Sequence, residues 1–133
     1  ETMAANLVGP ICELVVQTPG VQLTDADTTA LKTLYTAGAN GGRVDEIYIC
    51  SDDTAAINAR FYINNGATSF YIGVVNIPIG AGYTTIPRIN AMATLAPVLG
   101  YLALTAAYVL KCSCLATMTA GKVMNVVVQA GDF

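Results

Sequence analysis

The chain has 133 residues, enough for one hydrophobic core, and carries nine acidic residues, six basic ones and no histidine. Hydrophobic residues make up 54% of it and charged residues only 11%, against roughly 25% charged in an ordinary soluble domain, which suggests that neighbouring subunits cover part of its apolar surface. The net charge of −3 provides no basic stripe for a phosphate backbone, so direct nucleic-acid binding is not expected. The missing histidine removes the commonest general base and metal ligand.

In chain order, Glu1-Thr2-Met3-Ala4-Ala5-Asn6 lacks the basic region and apolar run of a signal peptide. Residues 1–10 are expected to form an N-terminal arm ending in Leu7-Val8-Gly9-Pro10, and residues 11–133 a single domain. Turn signals recur at Thr18-Pro19-Gly20, Gly38 to Gly42, Ser51-Asp52-Asp53, Asn64-Asn65-Gly66, Gly80-Ala81-Gly82 and Thr119-Ala120-Gly121. The segments between them are rich in β-branched and aromatic residues, which favour strands. Strands are expected over Ile11 to Gln17, Thr29 to Thr36, Arg43 to Cys50, Ala107 to Leu115 and Lys122 to Ala130.

The clearest element is a hairpin at Asn65-Gly66, a pair suited to a tight type I′ turn. Ile57, Ala59, Phe61 and Ile63 alternate with polar residues before it. After it, Phe70, Ile72 and Val74 are expected on one face and Tyr71 and Val75 on the other, with Tyr62 and Tyr71 able to pair across strands. The Val-rich run from Val123 to Val128 reads as a central strand covered on both faces. Helix competes over Asp25 to Leu34, where Thr24 offers a cap, but the threonines there favour strand. Ile89 to Leu95, bracketed by Pro87 and Pro97, reads as a long connection holding one helical turn. The regular punctuation points to an all-β protein, an antiparallel β-sandwich or a barrel with about seven or eight strands, and leaves the strand order open.

No catalytic constellation stands out, and the chain is not expected to be an enzyme. Asp45 and Glu46 are adjacent, which in a regular strand sends them to opposite faces. Asp52 and Asp53 sit in a turn, where aspartates commonly bond nearby backbone. Asp25-Ala26-Asp27 lacks the Gly and Glu of a calcium loop, and Gly38 to Gly42 lacks the ending of a phosphate loop and reads as a hairpin loop. Cys112 and Cys114 share one strand face and, with Cys12 and Cys50, fit buried small hydrophobes better than disulfides or a zinc site. The tyrosines are scattered, which gives an aromatic binding platform no specific support. No cofactor or metal is expected. The apolar runs, such as Tyr101 to Val109, fall well short of the roughly 20 residues of a membrane span, so no membrane partner is expected.

The segments Thr36 to Ile47, Ser51 to Ala55, Arg60 to Gly66, Ile72-Gly73, Ile77-Pro78 and Gly80 to Gly82 resemble small virion-associated proteins of tailed bacteriophages. Thr119 to Lys122 and Ala130 to Phe133 are similar to the C-terminal end of that group. The resemblance implies a β-sandwich or jelly-roll decoration protein, also called a cement protein, made in the host cytoplasm and placed on the capsid exterior. Its partner would be the major capsid protein, and it would form a homo-oligomer, a trimer or dimer. A receptor- or glycan-binding module of a tail or fibre is the alternative. Candidate contacts are Leu7 and Val8 in the arm, and Tyr83, Ile86, Arg88 and Leu95 in the long segment from Gly80 to Gly100.

Overall fold

The computed structural model describes residues 15–133, so Leu7, Val8 and the rest of the expected arm lie outside the described residues, as does Cys12. Among the described residues ten strands occur in chain order: β1 (Val15–Gln17), β2 (Gly20–Thr24), β3 (Lys32–Thr36), β4 (Gly42–Ser51), β5 (Ile57–Asn64), β6 (Ser69–Ile77), β7 (Ile89–Asn90), β8 (Leu102–Leu104), β9 (Val109–Cys114) and β10 (Val123–Asp132). One short helix, α1 (Met92–Leu95), separates β7 from β8.

The strands form two antiparallel sheets packed face to face as a β-sandwich. In the first sheet β10 lies between β4 and an edge that β1 and β2 share, pairing with Ala130–Asp132 and Val123–Val127 respectively. Pro19 falls between these two segments, where a residue without an N–H cannot continue the ladder, and its carbonyl accepts from Val128 N at 2.9 Å. The Thr18-Pro19-Gly20 signal therefore marks an interrupted edge instead of a reversal of direction. The opposite edge is shared in the same way by β7 and β8, both paired with β4. The second sheet runs β3-β9-β5-β6. Counted as positions, these are eight strands, and their pairings nest around the β5–β6 hairpin: β5 with β6, β4 with β7 and β8, β3 with β9, and β2 with β10.

The core lies between the sheets. Val44, Ile47 and Ile49 of β4 and Met124, Val126 and Val128 of β10 face Ala59 and Phe61 of β5, Ile77 of β6, and Leu110, Cys112 and Cys114 of β9. Burying this apolar surface is the main force holding the two layers together. Cys112 and Cys114 occupy the small-hydrophobe role expected of them and form no disulfide. Burial pushes the Cys112 thiol up to about 12, with Cys114 adding to the rise and Lys32 opposing it, and burial together with Asp27 and Asp53 pushes the Cys114 thiol up to about 11.

Several local expectations are corrected. The run before β3 is not strand from Thr29: Asp25–Asp27 form a single 3-10 turn, and β3 begins at Lys32. The Asp27 carboxylate accepts from Thr24 N at 2.9 Å and pairs with Lys32 Nζ at 3.0 Å, which closes that turn. The hairpin exists, but its reversal is not a two-residue type I′ turn. Asn64 pairs with Ser69, which leaves a loop from Asn65 to Thr68. The Asn65 side-chain oxygen accepts from the N–H groups of Ala67 and Thr68 at 3.0 and 2.8 Å, and so holds the wider loop. A bulge follows in β6, where Phe61 pairs with Gly73 and Tyr62 with Tyr71. The extra residue, Ile72, breaks the alternation, so Phe70 opposite Ile63 and Val74 opposite Arg60 do not share a face. Tyr62 and Tyr71 do pair, with ring centroids 5.4 Å apart.

The central strand β10 is covered on one face only: its inner residues are buried while Val127 and Gln129 are exposed. Gly38 to Gly42 is not a hairpin loop either, because it carries the chain from β3 in one sheet to β4 in the other.

Candidate interface

The segment from Pro78 to Arg88 closes back onto the end of the first sheet. Gly80 (φ 70°) lets its carbonyl accept from the N–H groups of Tyr83 and Thr84 at 3.0 and 3.1 Å. Gly82 N donates to Ile86 O at 2.8 Å, and Ser51 N donates to Ala81 O at 2.9 Å. A Cβ on Gly82 would stand 2.5 Å from Cys50 Sγ, so a side chain there would push the loop off β4. The anchored loop holds Ile79, Tyr83 and Ile86 exposed, with Tyr83 at 52%.

Two further contacts fix the loop over the outer face of the sheet. Asn125 Nδ2 donates to the Tyr83 hydroxyl at 2.9 Å, and Gln22 Nε2 donates to Asn125 Oδ1 at 2.9 Å. The Arg88 guanidinium lies 3.8 Å from the centroid of the Tyr48 ring, a cation–π contact that orients the side chain. Tyr83, Ile86 and Arg88 thus belong to one surface. Leu95 does not join them: it is half-buried in α1, beside Gly73 in the β6 bulge, where its Cδ2 occupies space that a Cβ would need. Gly73 admits the helix.

Exposed apolar side chains also occur at positions not anticipated from the sequence. Val98 is 92% and Leu99 69% exposed at a turn between α1 and β8, where Gly100 N donates to Ala96 O at 2.9 Å. Val16, 75% exposed, and Phe133 add further apolar surface. The sequence does carry a mark of the first pair, since Pro97-Val98-Leu99-Gly100 places two apolar residues in a Pro/Gly turn, where polar ones are usual.

The carboxylates also sit differently from the regular-strand expectation. Gln129 pairs with Glu46 and Ala130 with Val44, which leaves Asp45 as the extra residue of a bulge in β4. Val44 and Ile47 both point inward, so Asp45 and Glu46 both lie on the outer side instead of on opposite faces. With Asn90, Met92, Ala96 and Gly100 they line an open depression of about 320 Å³. Arg43 Nε pairs with Asp45 Oδ1 at 3.0 Å, and its guanidinium lies 5.4 Å from the Tyr101 ring centroid.

Asp53 bonds nearby backbone as expected, accepting from Ala55 N at 2.8 Å, and both aspartates also reach backbone over long sequence distances. Val123 N donates to Asp52 at 2.8 Å, while Thr119 N and Thr119 Oγ1 donate to Asp53 at 2.9 and 2.7 Å. Burial raises the Asp53 pKa, and the hydrogen bonds from Thr119 and from the Ala55 and Thr54 backbone outweigh it and hold the carboxyl below its ordinary 3.8. These two aspartates pin the β9–β10 loop against the β4–β5 turn. A second clamp closes the other end: the Asp132 carboxylate accepts from the Tyr35 hydroxyl, from Gly38 N at 3.2 Å and from Gln17 Nε2 at 3.1 Å.

Among the described residues, no group of three or more His, Cys, Asp or Glu gathers as a metal site. No helix among them is long and apolar enough to cross a membrane.

No protein-family model matches the sequence, and no curated protein sequence does. Among solved structures, the fold is similar to that of a chain in the acidic stable capsid structure of Helicobacter pylori bacteriophage KHP30, with a TM-score of 0.59 and 9% identity. The match covers 90% of this chain and 88% of that one, so what the two proteins share is the whole sandwich.

Proposed function

We propose that this protein is a structural component of a phage virion that decorates the capsid exterior and stabilises it by bridging major capsid protein subunits. The observation that carries the reading is the end-to-end likeness of fold to a chain of a phage capsid structure. The nested strand pairing supports a jelly roll, an architecture that recurs in viral capsid domains. The surface supports a role in assembly. Tyr83, Ile86, Val98, Leu99 and Val16 are held in water by an anchored framework, at a cost that burial against a neighbour would offset. Such a component works without catalysis, as a homo-oligomer, a dimer or trimer, each copy spanning a junction between shell subunits.

Receptor or glycan binding in a tail or fibre is the second reading. It is favoured by the shallow groove lined by Gly20, Gln22, Asn125 and Val127 next to Tyr83. Its polar side chains already bond one another, which leaves fewer groups for a sugar.

Quantitative mass spectrometry of the purified particle that contains the protein separates the two readings. Decoration predicts a copy number comparable to that of the major capsid protein. A few copies per particle contradict it and favour the tail, and absence from the particle rejects both.

A further inference from the structure

The outer face of the four-stranded sheet is organised in rows that cross its strands. One row is Thr33, Lys111, Tyr62 and Tyr71, and the next is Ser113, Arg60 and Val74. The flanking rows are closed by their own hydrogen bonds: Asn76 Nδ2 donates to Asn58 Oδ1 at 3.0 Å, and Asn64 Nδ2 donates to Ser69 Oγ at 2.8 Å. The middle rows are not. Ser113 is fully buried, and among the described residues neither its Oγ nor the buried Nε of Arg60 beside it has a hydrogen-bond partner. Unused polar capacity of this kind is rare in a native protein.

Charge points the same way. No strand of this sheet contains an acidic residue, although the chain as a whole is acidic. Among the described residues, no carboxylate lies within ion-pair distance of Arg60 or Lys111, which share this with Arg88 and Lys122 but alone stand together on one sheet face, while Lys32 and Arg43 each have one. Beside the two cations stand the Tyr62–Tyr71 pair, with Tyr71 55% exposed, and the exposed Val74.

We infer that this face is a docking surface for a carboxylate-bearing segment of a partner protein. Arg60 and Lys111 receive the carboxylates, and Tyr62, Tyr71 and Val74 supply the flat apolar contact around them. A guanidinium presents a planar fork of donors that matches a carboxylate, and tyrosine and arginine are the side chains that most often anchor protein interfaces. A saccharide fits less well, because the amides it would use are already bonded, Asn76 to Asn58 and Asn64 to the Ser69 hydroxyl. Two cations are too few to follow a nucleic-acid backbone. This docking chemistry stands apart from the capsid assignment, since the isolated chain displays it.

The test is a titration of the isotope-labelled chain, followed by amide NMR shifts, with a ten-residue peptide of alternating Glu and Tyr. Chitotriose and a ten-nucleotide thymidine strand serve as the other arms. The expected result is peptide-induced shifts concentrated on β5, β6 and β9. Affinity should fall at least tenfold in the Arg60→Gln/Lys111→Gln double variant at an unchanged melting midpoint. Shifts that are absent, or that spread over Lys32, Arg88 and Lys122, would overturn the inference. So would unchanged affinity in the double variant, or occupation of the face by the saccharide or the oligonucleotide in place of the peptide.

Discussion

Single side chains close this sandwich at both ends, and the sequence showed which residues were available without showing what they reach. Asp53 reads as a turn residue because Ser51-Asp52-Asp53 is a turn. Its partner Thr119 lies 66 positions away, at a distance no local pattern encodes. Asp53→Ala takes the acceptor away from the Thr119 and Ala55 donors and empties a buried position, and should cost roughly 1–3 kcal/mol at neutral pH. The sign of its pH dependence follows from a carboxyl pKa lower in the folded chain than in the unfolded one. The stabilisation is complete above the unfolded value of 3.8 and is lost as pH falls below it, through the lowered folded value. Denaturant melts of the wild type and the variant should therefore converge toward acid and separate above about pH 4. Cys112 and Cys114 give a second residue-scale expectation. Buried and held as thiols at pH 8, they should resist iodoacetamide in the native protein and react only on unfolding, as peptide mapping would show. Labelling of either one in the native state would contradict the packing.

At the scale of elements, most strands were legible because β-branched and aromatic runs alternate between turn signals. β4, β5, β6, β9 and β10 begin and end close to their expected limits. What was not legible is where the alternation slips. The bulge at Asp45 turns two carboxylates to one side, and the bulge at Ile72 separates Phe70 from Val74, because one inserted residue exchanges every face beyond it. β2, β7 and β8 escaped notice because they are short edge segments, supported by a neighbouring strand more than by their own pattern. Of the expected contact residues, Tyr83, Ile86 and Arg88 share a surface because one glycine-anchored loop carries them, and Leu95 was drawn away by α1. The loop has its own test. Gly82→Ala places a methyl group against Cys50 at positive φ and should detach the loop from β4. The expected outcome is a loss of about 1–3 kcal/mol in stability, together with faster amide exchange at Ser51, whose N–H bonds the Ala81 carbonyl. Unaltered exchange there would show that the loop is held by other means.

For the whole molecule, composition specified a single apolar core and too little charge to coat it, and the structure shows where the surplus lies. The interior takes one face of each sheet, and the remainder projects at a few fixed points, above all Val98, Leu99, Val16 and Tyr83. The order of the strands could not be read from the sequence, because it rests on pairings such as β2 with β10, between opposite ends of the described chain. The same pairings make a rigid body that presents separate surfaces, suited to touching more than one neighbour at once. The central claim is that these surfaces recognise an assembled shell, and co-sedimentation of the purified chain with heads stripped of it, against free major capsid protein, tests this most directly. The account predicts saturable binding to the heads at a fixed ratio to the shell subunit and no binding to the free subunit. Equal binding to both, or to neither, would contradict it.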